Sequence, residues 1–180
     1  MSDGLPFSHL YNLNRLGQAG DEVSFTATEE ERAGLAQFTD VARVEKFAAQ
    51  IVLQKPAPNR FHLDIALEAD IVQACVVSLV DVPAHIERRF TRELHFNPAL
   101  KRAKEPSPVE DDLLDDLLAD DKPEEIDSLH YDLAGPLIEE FVLAIDPYPR
   151  APGTEFEAPE EARDTPESPF AVLKGLKSGL

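Results

Sequence analysis

The stretch FHLDIALEADIVQACVVSLV, residues 61–80, decides the fold. Its first half alternates, with Phe61, Leu63, Ile65 and Leu67 on one side and His62, Asp64, Ala66 and Glu68 on the other. A period of two belongs to a strand buried on one face, because successive side chains of a pleated backbone point to opposite sides. Working outward, VEKFAAQIVLQ (44–54) precedes this stretch and HIERRFTRELHF (85–96) follows it, both β-branched or alternating. KPAPN (55–59) and DVP (81–83) separate the three and read as turns, since proline fixes φ and lacks a donor. FSHLYNLNRL (7–16) also alternates and predicts a further strand. Strands joined by short turns pair antiparallel, so the expected core is an antiparallel β-sheet or a partly closed barrel.

Two helices complete the reading. Thr28 followed by Glu31 forms an S/T-x-x-E capping box, and TEEERAGLAQF (28–38) fits a short helix with acidic residues at its positive end. DLAGPLIEEFVLAI (132–145) is the stronger helix. Asp132 serves as its N-cap, Pro136 lies in the first turn, and Leu137, Phe141, Val142 and Ile145 form an apolar face. Pro147 and Pro149 stop it. The fold class is therefore α+β, a sheet packed against a C-terminal helix, in one domain over residues 1–149.

The net charge of −18 is unevenly spread. Residues 1–104 hold 14 acidic and 12 basic residues, whereas residues 105–127 hold 11 acidic residues and only Lys122. Residues 128–180 hold 10 acidic and 4 basic residues. The whole-chain acidity would repel RNA, but the folded part is close to neutral and carries no such exclusion. The segment 105–127 reads as a disordered acidic insert, within which Leu113, Leu114, Leu117 and Leu118 recur at helical spacing. Residues 150–180 read as an acidic, proline-bearing tether ending in SPFAVLKGLK (168–177). There Phe170, Leu173, Leu176 and Lys177 present an apolar edge with a cationic fringe.

The residues that could carry chemistry are sparse. Cys75 is the only cysteine, which rules out an internal disulfide. A structural zinc site takes four closely spaced ligands. The residue three after Cys75 is Ser78, and His85 and His95 form no tight cluster, so no metal and no cofactor is expected. Cys75 then reads as a small buried residue. No G-x-S-x-G and no glycine-rich phosphate loop occurs among only 8 glycines. Neither Ser78 nor the Asp64 and Asp70 pair has a base and an orienting group, so no catalytic residue and no enzymatic activity is expected. No basic and apolar leader opens the chain and no apolar run approaches membrane-spanning length, which predicts a cytoplasmic protein.

Basic residues give the clearest binding signal. Arg88, Arg89, Arg92, Lys101, Arg102 and Lys104 fall within seventeen residues, with Phe90, His95 and Phe96 among them. Cations interleaved with aromatics suit phosphates and stacked bases, so this is the candidate RNA-binding site. The alternative is a solvated strand whose charge the acidic insert balances. The insert itself reads as a clamp for a basic protein, with its leucines ordering on contact, as a cover for the basic patch, or as a solubilising linker.

Four features, taken in order, carry a resemblance. They are VQACVVSLVDVPAHIERRF (72–90), the acidic low-complexity segment, DLAGPLIEEFVLAIDPYP (132–149) and SPFAVLKGLK (168–177). Together they resemble the YceD family, the large ribosomal RNA subunit accumulation proteins of bacteria and plastids, over about residues 7 to 177. The tail match rests on Pro169, Phe170, Ala171, Leu173, Leu176 and Lys177, and the helix match on Glu139, Glu140, Leu143, Ala144 and Pro147. The resemblance implies a non-enzymatic role in large-subunit biogenesis. Its implied partners are large-subunit ribosomal RNA or its precursor, or a basic ribosomal protein, whose gene commonly neighbours the family's. Many members carry a Cys-x-x-Cys after the third long strand, which corresponds here to Cys75 and Ser78, so the second cysteine is lost. The tail motif implies docking, either back onto the β core or onto a ribosomal partner. Folding back is the expected arrangement, since a free apolar tail is a liability.

Overall fold

A computed structural model describes residues 4–100 and 123–154. In chain order these form β1 (Leu10–Asn12), a 3-10 turn (Leu13–Arg15), β2 (Asp21–Thr26), α1 (Glu29–Thr39) and β3 (Arg43–Ala57). β4 (Arg60–Ala74), β5 (Asp81–Phe96), β6 (Glu124–Ile126), β7 (His130–Asp132) and α2 (Ala134–Ala144) follow. Five strands form one sheet in the order β2-β3-β4-β5-β6, and β1 and β7 pair separately. The four long-range neighbours β2 to β5 are antiparallel, as the alternation requires, and the sheet stays open rather than closing into a barrel.

The period-two pattern sets the two faces of the sheet. Phe61, Leu63, Ile65 and Leu67 of β4 are buried together with Phe47, Ala49, Ile51 and Leu53 of β3 and with Ile86 and Leu94 of β5. Both helices lie on this face. α1 contributes Leu35 against β3, and α2 contributes Leu137, Ile138 and Phe141. The Phe141 ring stands edge-on to Phe47 with centroids 5.2 Å apart, and Phe7 stacks on Phe25 at 5.0 Å. The capping box at α1 forms as expected: Glu31 N donates to Thr28 Oγ1, and Thr28 N donates to Glu31 Oε2 at 2.7 Å.

Several expectations are corrected. Residues 7–16 are not one strand. Only Leu10–Asn12 extends, because the Asn12 side chain accepts from Asn14 N at 3.0 Å and draws the chain into the 3-10 turn. The DVP turn belongs to β5, and the real break lies earlier, over Cys75–Val80. Pro83 and Pro56 are tolerated in strands because neither has a ladder partner on its second edge. Glu124–Ile126, placed by composition at the end of the acidic insert, form a strand parallel to β5, and Ile126 enters the core. On α2, Val142 faces out and Ile138 takes its place in the core. Asp132 is not the N-cap of α2: Leu133 holds that position without a side-chain cap, while Asp132, at the end of β7, accepts from Ala134 N at 3.0 Å and His9 N at 2.7 Å.

Candidate interaction surfaces

The basic cluster is divided by the strand that carries it. Arg88 and Arg92 stand opposite Leu67 and Leu63 and share the face covered by the helices, whereas Arg89 stands opposite Ala66 on the outer face. Arg92 is only 29% exposed and meets α2: Nη2 lies 2.6 Å from Glu139 Oε2 and 3.6 Å from Glu140 Oε1. The two family-matching glutamates of α2 thus bind the sheet. Arg92 Nε is buried without a hydrogen-bond partner among the described residues. Arg89, 79% exposed, pairs with Glu87 at 3.2 Å. Phe90 and Phe96 are partly buried against the core, with Arg92 lying 5.9 Å from the Phe90 ring, and His95 Nδ1 lies 3.9 Å from Glu125 Oε1. Lys101, Arg102, Lys104, Leu113, Leu114, Leu117, Leu118, Phe170, Leu173, Leu176 and Lys177 lie outside the described residues.

The outer face of the sheet is a shallow concavity of about 480 Å³. Ser24, Thr26, Ala48 and Ala66 line it with small side chains, and Gln50, Glu68, His85, Glu87 and Arg89 also bound it. Small residues at adjacent registers of β2, β3 and β4 leave the twisted sheet uncovered there. On this side β3 to β5 carry the carboxylates Asp64, Glu68, Asp70, Asp81, Glu87 and Glu93 and the full cations Arg43, Lys46, Arg60 and Arg89. Lys46 pairs with Glu68. His85 Nδ1 lies 2.6 Å from Asp70 Oδ1, and this hydrogen bond is the main cause raising its pKa above the ordinary histidine value. Glu68, Asp70 and His85 place one ligand atom each within 4.8 Å of one another. Two of those atoms are already committed, Glu68 to Lys46 and Asp70 to His85, so the group does not present a ready cation site.

Cys75 occupies a third feature, the turn between β4 and β5. The residue is fully enclosed, and its sulfur accepts from Ala151 N at 3.3 Å and from Ser78 N at 3.5 Å. The Ala151 amide, followed by Ser78, lowers the thiol pKa from 9.0 to about 6, with burial opposing them more weakly. The chain after α2 is fastened here as well: Val76 N donates to Pro149 O at 2.9 Å and Gln73 Nε2 to Asp146 O at 2.8 Å. Ser78, in the place of a second cysteine, gives the sulfur an amide donor. Around this joint stands an exposed apolar ridge of Val76, Leu79, Val80 and Tyr148, with Leu79 78% and Tyr148 71% exposed. Leu79 has φ +60°, a conformation that side chains other than glycine seldom adopt. The uncharged run of residues 71–80 is the only signal of this ridge in the sequence.

The described residues thus present an α+β protein with an open, charged sheet face and a separate apolar ridge. The family model of the large ribosomal RNA subunit accumulation protein YceD matches residues 63–177, and the chain belongs to that family. The match begins inside β4, so β1 to β3 and α1 lie before it, which narrows the resemblance that started at residue 7. No curated protein and no solved structure is significantly similar to the chain. No described helix is long and apolar enough to cross a membrane.

Proposed function

We propose that the protein supports the accumulation of large-subunit ribosomal RNA without catalysing a reaction, by holding a basic large-subunit ribosomal protein in the cytoplasm. Family membership supplies the link to large-subunit RNA. The observation that carries the mechanism is the charge of the outer sheet face, where six carboxylates outnumber four full cations beside an uncovered concavity. Such a surface repels a phosphate backbone and attracts lysine- and arginine-rich segments. The acidic segment 105–127 adds ten net negative charges that act in the same sense. Small side chains at the floor admit the close approach of an extended or helical segment. Direct RNA contact is weakened as a reading because Arg92 is neutralised by Glu139 and Glu140 while Arg88 and Arg89 point to opposite faces.

The test is in-cell UV crosslinking of the tagged protein, combined with binding measurements on purified basic large-subunit proteins at two salt concentrations. Binding to one of them that weakens with salt, and weakens further in Glu68→Lys with Glu87→Lys, is the expected result. Discrete crosslinks on large-subunit RNA that disappear in Arg88→Glu with Arg89→Glu, with no basic protein bound, would return the function to the RNA.

A further inference from the structure

We infer that the apolar ridge around Cys75 is the docking surface for this chain's own segment Phe170–Lys177. Val76, Leu79, Val80 and Tyr148 are large apolar side chains left in water, and they stand together because Val76 N is bonded to Pro149 O. A contiguous patch of this kind marks a contact surface. Leu79 is held outward in a left-handed backbone conformation, which a turn would avoid if its side chain had no task.

The occupant follows from where the chain goes. Ala151 N donates to Cys75 Sγ, and Thr154 Oγ1 lies 3.8 Å from the same sulfur, so the described chain is fastened directly at the ridge when it reaches Thr154. Fifteen residues, 155–169, separate that anchor from Phe170. At roughly 3.3–3.6 Å per residue, fifteen residues reach at most about 50 Å, enough for Phe170 to return to the ridge. Its effective concentration at the ridge is on the order of millimolar, far above that of a partner in solution. The chemistry is complementary. Phe170, Leu173 and Leu176 recur three apart as an apolar edge, and Lys174 and Lys177 flank it. Asp81 adjoins Val80 and Asp146 lies two residues before Tyr148; both border the ridge, Asp81 already paired with Arg43 and Asp146 accepting from Tyr148 N. This contact is independent of which macromolecule the sheet face binds.

Hydrogen exchange on the full-length chain tests the inference. Amides of 170–177 and of 76–80 should be protected in the wild type. Phe170→Ala with Leu173→Ala should accelerate exchange at 76–80, and Leu79→Gly should accelerate it at 170–177, each by about tenfold. Leu79→Gly relieves the backbone while removing the side chain, so its turn and melting temperature should be retained and a folding defect cannot imitate the result. Unprotected 170–177 amides in the wild type would overturn the inference. So would protection that persists in Leu79→Gly, or that appears only at concentrations where light scattering detects a dimer.

Discussion

Arg92 and Arg89 are three positions apart in sequence and on opposite sides of the sheet, and this one fact reorganises the charge of the protein. Arg92 is a structural cation held against Glu139 and Glu140, whereas Arg89 is a surface cation beside Glu87. Arg92→Glu should therefore lower stability by about 1–3 kcal/mol in urea unfolding, because it leaves three carboxylates facing one another at a partly buried seam. Arg89→Glu should change stability by no more than about 0.5 kcal/mol. Equal effects would contradict the register that puts the two arginines on opposite faces of the sheet. Cys75 offers a pH signature. Its pKa falls from 9.0 unfolded to about 6 folded. A depressed acid stabilises the fold fully above the unfolded value and loses that contribution as pH falls through the folded one. Melting temperature should thus rise between pH 6 and pH 9 in the wild type relative to Cys75→Ser. Matching profiles for the two would show that the sulfur stays protonated.

Among the elements, β4 was legible because each of its odd residues from Phe61 to Leu67 is buried, an unbroken period. β2 was not, since only Phe25 among its six residues is fully buried and its place is fixed by pairing with β3. The entry to β2 depends on Gly20, whose φ is +78° and where an added Cβ would lie 2.8 Å from Leu53 O. Gly20→Ala should accordingly cost more than about 1 kcal/mol, read as a lower urea midpoint. α2 was recognisable from its apolar spacing, but its face was misjudged by one position: Ile138 rather than Val142 meets the sheet. Its central contact is Phe141 against Phe47. Phe141→Ala should destabilise by about 3–5 kcal/mol and release α2 from the sheet, seen as loss of near-ultraviolet signal before far-ultraviolet signal. A small, fully cooperative loss would place the fold's centre elsewhere.

At the scale of the whole molecule, the α+β class and the antiparallel order could be read from the chain because hairpins are local. The sidedness of the basic cluster and the ridge around Cys75 could not, since both depend on register and on a contact between residues 76 and 149. The parallel strand β6 was hidden for a similar reason: its Glu-Glu-Ile is acidic in composition, and only the company of Leu94 to Phe96 makes it a strand. That pairing has an evolutionary meaning. Asn97 N is bonded to Ile126 O at 2.9 Å, so the chain departs from the sheet and rejoins it at almost the same place. Whatever lies between is a graft on a closed doorway, and its length is decoupled from the rest. Doubling a loop adds only about 0.6 kcal/mol of closure entropy. A small folded domain inserted between Glu110 and Asp111 should leave the melting temperature within a few degrees of the parent, by calorimetry. Changes of length in this stretch therefore leave the sheet it departs from and rejoins untouched.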